Sequence, residues 1–252
     1  MIIGNPPYSV GQKSANDNAQ NQSYPTLEGR IADTYAANSA ANNKNSLYDS
    51  YIKAFRWATD RIDPKNGGVI GFVTNGAWID GNAQDGFRKA LEREFSSVYV
   101  FNLRGNQRTS GELSRKEGGK IFGSGSRTPI SITILVKKPN LGINNKAKIY
   151  YHDIGDYLSR EDKLRIVKNL GSIANVAMDW KMIEPNEHGD WINHRNEAFL
   201  SFIALGDKDD RKNSKTFFVP NYSNGLKTQR DGWAYNSSLV QVKEATKSQI
   251  LF

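Results

Sequence analysis

An α/β fold is what this sequence predicts, and three observations carry the prediction. Gly67-Gly68-Val69-Ile70-Gly71-Phe72-Val73-Thr74-Asn75 is a glycine turn feeding a continuous apolar run, and a strand apolar on both faces belongs inside an α/β sheet. Segments of helical period flank it, at 47–62 and from about 83 to 95. Further strand-like runs follow at 98–103, 130–136 and 149–151. Strands alternating with helices point to a largely parallel sheet.

The elements follow in chain order. Met1-Ile2-Ile3-Gly4 reads as the end of a strand. Residues 9–46, rich in Asn, Gln, Ala and Ser, have little periodicity and read as a long mobile loop. In the helix at 47–62, Tyr48, Ile52, Phe55, Thr59 and Ile62 share one face, with Lys53, Arg56 and Asp60 elsewhere. Pro64 and Gly67-Gly68 end it. Phe87, Leu91 and Phe95 line one side of the next helix. Residues 104–127 form a loop rich in Gly, Arg and Lys, and 160–170 a small amphipathic helix. Pro185–Gly189 reads as a polar linker, and from Asp190 a helix is expected to run through Phe199, Phe202 and Ile203. Gly206–Lys215 is a charge-dense loop, after which Trp233 and Tyr235 are expected in a core.

Composition narrows the chemistry. The 252 residues suffice for one large or two small domains. Mean hydropathy is −0.62 and no apolar run reaches the length of a membrane span. The absence of Cys excludes disulfides, thiolate zinc sites and thiol nucleophiles, and fits a cytoplasmic protein. Three His leave little scope for a metal site, so none is expected. A net charge of +8 suits a polyanionic partner.

One tetrapeptide carries a specific chemistry. In Asn5-Pro6-Pro7-Tyr8 the prolines stiffen the backbone and remove donors, leaving carbonyls free to accept. The Asn5 side-chain oxygen and the Pro6 carbonyl suit one –NH2 group, and the Tyr8 ring suits the heterocycle bearing it. The same motif serves equally as a proline-stiffened turn.

Asn5-Pro6-Pro7-Tyr8 resembles the catalytic motif of the S-adenosylmethionine-dependent amino-methyltransferases, above all the DNA N6-adenine methyltransferases. The order strand, tetrapeptide, helix, glycine-glycine strand, Trp78, helix, strand is similar to their second half. Ser223–Asn236 resembles a segment that follows the methyltransferase core in large single-chain restriction-modification enzymes of the type I-like, type ISP kind. The resemblance implies the C-terminal half of a Rossmann-like methyltransferase, a mostly parallel sheet with a reversed strand near its edge, followed by a small α+β region. It implies a catalytic half over 1–185 and the start of a target-recognition region over 186–252. Asn5, Pro6, Pro7 and Tyr8 would be catalytic, with Asn5 and Tyr48 near the cofactor. Phe122, just before the strand at 130–136, would contact the flipped base opposite Tyr8. Arg104, Arg108, Arg115, Lys116, Lys120 and Arg127 would meet phosphate, joined by Lys227 and Arg230. The partners implied are double-stranded DNA and the nuclease and helicase-like ATPase parts of a longer chain.

Such enzymes hold S-adenosylmethionine on a glycine-rich turn upstream of the tetrapeptide. Only four residues precede Asn5, and no G-x-G-x-x-G occurs later, so the cofactor site is expected to be incomplete and the chain a fragment. No G-x-x-x-x-G-K-[ST] or P-D…E-x-K pattern places ATPase or nuclease chemistry here. Two other readings stand beside methylation of adenine. Protein-glutamine methyltransferases share the tetrapeptide but predict no basic region after the core. A fragment that only binds and recognises DNA needs no cofactor.

Overall fold

A computed structural model describes residues 1–7, 22–123, 127–142 and 144–196, and beyond them 198, 201–207, 210, 212, 215–219 and 235–250. The chain divides into two compact units, Met1–Arg195 and Asn196–Phe252.

The first unit is built on a six-stranded sheet. Its strands are β1 (Ile2–Gly4), β2 (Gly68–Asn75), β3 (Ser97–Arg104), β4 (Ile130–Lys137), β5 (Lys148–Asp153) and β6 (Lys181–Ile183), in the order β1-β2-β4-β3-β5-β6. β1 pairs parallel with β2, and β3 with β5, whereas β4 is antiparallel to β2 and β3, and β6 to β5. Four strands therefore run one way and two are reversed. The reversed strand expected near the edge is present as β6, and a second, β4, lies inside the sheet, where it fills the gap between β2 and β3 and its alternating sequence pairs on both sides.

α2 (Ser50–Thr59) and α3 (Asp85–Glu94) contribute to one face of the sheet. Ile70, Leu135, Val98 and Ile149 form a row across four strands. They belong to one buried cluster with Phe55, Trp78, Phe87 and Leu91. Rings meet edge-on or tilted within it: Phe55 lies 5.0 Å from Phe72, and Trp78 lies 5.4 Å from Phe87. Burying a Phe or Leu side chain contributes about 1.5–3 kcal/mol, so these residues dominate the stability of this face. The helix stripes read from sequence are the ones buried.

The opposite face carries a smaller cluster of Phe101, Leu103, Ile121, Ile130, Ile154 and Met178, with Val167 and Leu170 of α5 (Arg160–Leu170) packed against it. Ser159 caps α5 by accepting from the Asp162 amide at 3.1 Å.

The structure departs from the sequence reading in six further places. Part of the expected loop at 9–46 is helical: α1 (Pro25–Ile31) continues into a π-helical turn at Ala32–Ala36. Pro25 at its start fits the first turn, and Ile31 and Tyr35, four residues apart, are buried. Lys53 and Arg56, placed off the core face, are also buried; Arg56 donates to both Glu94 oxygens at 2.8 Å and to Asp60 at 2.7 Å. The charge is buried because its carboxylates follow it in.

Within the basic tract 104–127 lies a short helix, α4 (Gly111–Glu117). Pro185–Gly189 is a docked turn rather than a linker. Buried Arg88 donates to the Gly189 carbonyl at 2.7 Å, and Trp191, 3% exposed, stands 5.4 Å from Trp78 and donates to Glu92. The first unit thus continues to Arg195, and residues 190–195 are bends and irregular backbone where a helix was expected. Tyr235, expected in a core, is 59% exposed; Trp233 lies outside the described residues. The second unit carries α6 (Leu239–Ile250).

Candidate functional site at the carboxyl end of the sheet

The carboxyl ends of β1, β2, β3 and β5 lie at one end of the sheet, the end where open α/β sheets bind ligands. Register places the pieces. β1 ends at Gly4, opposite Phe72, so Asn5-Pro6-Pro7 leaves the sheet there. A Cβ on Gly4 would lie 3.3 Å from the Phe72 ring, so a small residue suits that last strand position. Asn5 and Pro7 are exposed and Pro6 is half-buried. β2 ends at Asn75, whose side chain accepts from the Ala77 amide at 2.9 Å, turning the chain into buried Trp78. β3 ends at Arg104, and from there residues 105–123 run as a basic arm to the start of β4. Asn5 and the arm thus share one end of the sheet, separated by the β2 turn.

Pro6 and Pro7 form one wall of a cavity of about 880 Å³. Tyr24, Ser50, Lys53 and Trp57 also line it. The Arg61 guanidinium stacks 3.9 Å from the Trp57 ring centroid. Tyr48 ends a 3₁₀ turn at Asn45–Tyr48 and is half-buried against the core. Tyr8 lies outside the described residues, as do Lys227 and Arg230.

The arm's predicted cations are not equivalent. Arg104 has a left-handed backbone, φ 56°, and its guanidinium is committed to Asp153 at 2.7 Å and to Asp156. These carboxylates neutralise it, and Asn102 and the Tyr151 hydroxyl complete the network on Asp153. Burial and the neighbouring Asp153 push the Tyr151 hydroxyl well above its ordinary pKa. Arg108, Arg115 and Arg127 are exposed, whereas Lys116 and Lys120 are partly so. Phe122 is half-buried against the smaller cluster, immediately after buried Ile121.

Sequence reasoning missed what holds this arm. Lys163 of α5 is fully buried and donates to the carbonyls of Glu117 at 2.7 Å and Gly119 at 2.9 Å. Arg160 donates to the Ile121 carbonyl at 2.9 Å. A signal was available: Lys163, Ile166, Val167 and Leu170 share one helical stripe, so Lys163 is a cation where the period asks for an apolar residue. Among the described residues no cluster of His, Asp and Glu has the makings of a metal site, and no helix is long and apolar enough to cross a membrane.

The fold and this end of the sheet define an α/β domain with an amide-proline-proline segment and a cationic arm at the same end. That domain is similar, over nearly its whole length, to one region of the Type ISP restriction-modification enzymes. A nuclease-deletion mutant of the Type ISP enzyme LlaGI, solved with a DNA substrate mimic, is 47% identical over 97% of this chain, with a TM-score of 0.79. The ATP-dependent Type ISP enzyme LlaBIII, solved bound to DNA, is 44% identical over 99%, with a TM-score of 0.86. DrdV in its DNA complex is 32% identical over 99%, with a TM-score of 0.82. The chain spans 19%, 16% and 24% of those chains respectively. The restriction-modification kinship read from the tetrapeptide and the element order holds. No protein-family model and no curated protein matches the chain.

Proposed function

We propose that this chain is the amine-holding half of a DNA adenine-N6 methyltransferase within a restriction-modification enzyme. The observation that carries the reading is the placement of Asn5-Pro6-Pro7. It is a donor-poor segment at the carboxyl end of an edge strand, with Asn5 and Pro7 exposed, on the same end of the sheet as the cationic arm. The kinship with enzymes solved on DNA supports double-stranded DNA as the partner.

The chain's own residues act on the acceptor. A target base is reached only after it leaves the stack, at a cost of a few kcal/mol. Tyr8 stacks on the flipped adenine and Phe122 bounds it from another side; base–aromatic stacking returns roughly 1–3 kcal/mol per contact. The Asn5 side-chain oxygen and the Pro6 carbonyl accept the two amine hydrogens, which localises the nitrogen lone pair. Orientation carries most of the effect. Arg108, Arg115, Lys116, Lys120 and Arg127 meet the phosphates beside the site. Lys227 and Arg230 add contacts from the second unit.

S-adenosylmethionine supplies the methyl group in such a reaction. We read its site as incomplete within this chain, with Asn5 and Tyr48 the residues that would stand near it: no G-x-G-x-x-G occurs in the sequence. The nuclease and helicase-like ATPase parts of a longer enzyme are read in the same way, as lying outside these residues.

Methylation by an enzyme containing this region tests the reading. Asn5→Ala should abolish labelling of adenine-containing duplex while duplex affinity stays within about twofold. Undiminished labelling overturns the catalytic assignment. If the unaltered enzyme binds duplex but labels none, the region serves recognition alone.

A further inference from the structure

The arm from Gly105 to Gly123 leaves the sheet after β3 and returns before β4, carrying the exposed cations and Phe122. What holds its return path is unusual. The carbonyls of residues 117, 119 and 121 accept, in alternation, from two cations on the first turn of one helix: Lys163 takes Glu117 and Gly119, and Arg160 takes Ile121. The backbones touch as well. The Gly119 amide donates to the Leu158 carbonyl at 2.9 Å, and the Tyr157 amide to the Lys116 carbonyl at 3.1 Å. A Cβ on Gly118, at φ +65°, would lie 2.2 Å from the Leu158 oxygen, and one on Gly119 would lie 2.4 Å from the Arg160 nitrogen. The arm therefore rests directly on the turn before α5, and only glycine permits the approach.

A lysine buried to 0% exposure is costly unless its ammonium is hydrogen-bonded. Two of its three donors go to arm carbonyls. Among the described residues its hydrogen bonds go to the arm alone, with Glu117, Asp153 and Arg104 close enough to act on its charge.

We propose that Lys163, supported by Arg160, is a positioning residue for DNA engagement: its ammonium fixes the arm's return path and thereby sets where Phe122 and the arm's phosphate-binding cations stand. The inference rests on the reading of Phe122 and the arm as DNA-contacting. Neither Lys163 nor Arg160 need touch the duplex. Loss of the clamp frees the arm without loosening the aromatic core on the other face of the sheet, which belongs to a separate cluster.

The test uses the 252-residue chain with K163M, K163R and R160Q variants. Hydrogen exchange is followed in peptides from 105–123 and, as the folding control, from 68–75 and 85–94. Fluorescence of duplex carrying 2-aminopurine at the target position is read in parallel. K163M should speed exchange in 105–123 by at least tenfold, with the control peptides unchanged. R160Q should speed it less, chiefly at 120–123, and K163R should restore most of the protection. If K163M also loosens the control peptides, R160Q carries the test. Unaltered exchange in 105–123 for both K163M and R160Q overturns the inference. The arms are separable: if the unaltered chain gives no 2-aminopurine signal while K163M speeds exchange, the flipping reading fails and the clamp stands. A 2-aminopurine signal that K163M and R160Q leave intact, although the arm is loosened, overturns the link between clamp and DNA.

Discussion

The two faces of one sheet combine apolar packing and buried cations in different proportions. Under α2 and α3 lies a large aromatic core in which Phe55, Trp78 and Phe87 are 0% exposed and edge-on or tilted to one another, with Arg56 and Arg88 of the same helices buried on Glu94 and the Gly189 carbonyl. On the other face a smaller cluster shares the work with cations: Lys163 and Arg160 hold backbone carbonyls, and Arg104 holds two carboxylates. Apolar contact is short-ranged and close-packed, and gives one rigid arrangement. Charge-assisted hydrogen bonds to a loop give a defined but separately breakable arrangement. The aromatic face secures the strand from which Asn5-Pro6-Pro7 projects, whereas the cationic face secures an arm that has to meet a duplex.

Substitutions sharpen or break that contrast. The largest effect is expected from Phe87→Ala, which opens a cavity beneath the aromatic core. A loss of about 3–5 kcal/mol should appear as a lowered urea midpoint, and a loss below about 1 kcal/mol would mean that this face is not the main source of stability. Arg56→Met leaves Glu94 with one fewer partner in a buried network and should cost about 3 kcal/mol by the same measurement. A neutral result would show the pair to be replaceable by apolar packing.

Asn5→Ala should lower methylation by an enzyme containing this region by on the order of 10²-fold or more, as loss of a positioned polar contact does at the transition state. Its urea midpoint should not move, because Asn5 is exposed.

The clamp has a pH signature. Burial pushes the Lys163 ammonium down to about 8, with Arg104 acting in the same direction and Glu117 and Asp153 opposing it. With the arm released, the amine returns to its ordinary value of 10.5. Between those two values the released state binds more protons than the docked one, so docking strengthens as pH rises from about 8. Tryptic cutting within 105–120, normalised to a free peptide, should therefore slow between pH 8 and 10 in the unaltered chain and not in K163M. Equal pH dependence in both would remove Lys163 from the account. The smallest effect is expected from Arg115→Ala: a fall of about one in the slope of log affinity against log salt for duplex, with stability unchanged. An unaltered slope would take Arg115 off the phosphate path.

Much of this molecule was legible before any coordinate. The continuous apolar run at 67–75, the alternating run at 130–136 and the pair Phe87 and Leu91 each fall in the element their period implies, with Phe95 just past the helix end, because side-chain spacing on a strand or helix is local geometry. The departure of Asn5-Pro6-Pro7 from a strand end was legible for the same reason, since proline restricts its own backbone whatever surrounds it. Non-local outcomes were hidden. Nothing local places reversed β4 between β2 and β3, brings Trp191 against Trp78, or makes a polar tract such as 185–189 a docked turn held by Arg88.

The buried cations mark the boundary between the two kinds of information. Composition showed a basic chain, and Lys163 stands where the helical period asks for an apolar residue. Whether such a charge is buried depends on acceptors brought from elsewhere in the chain: Glu94 for Arg56, 38 residues away, and the Glu117 carbonyl for Lys163, 46 residues away. The sequence by itself determined the main strands and the apolar stripes of the helices, which depend on near neighbours. Tertiary structure alone decided which charges went inside and what they hold, because a buried charge is stable only where the fold delivers its partners.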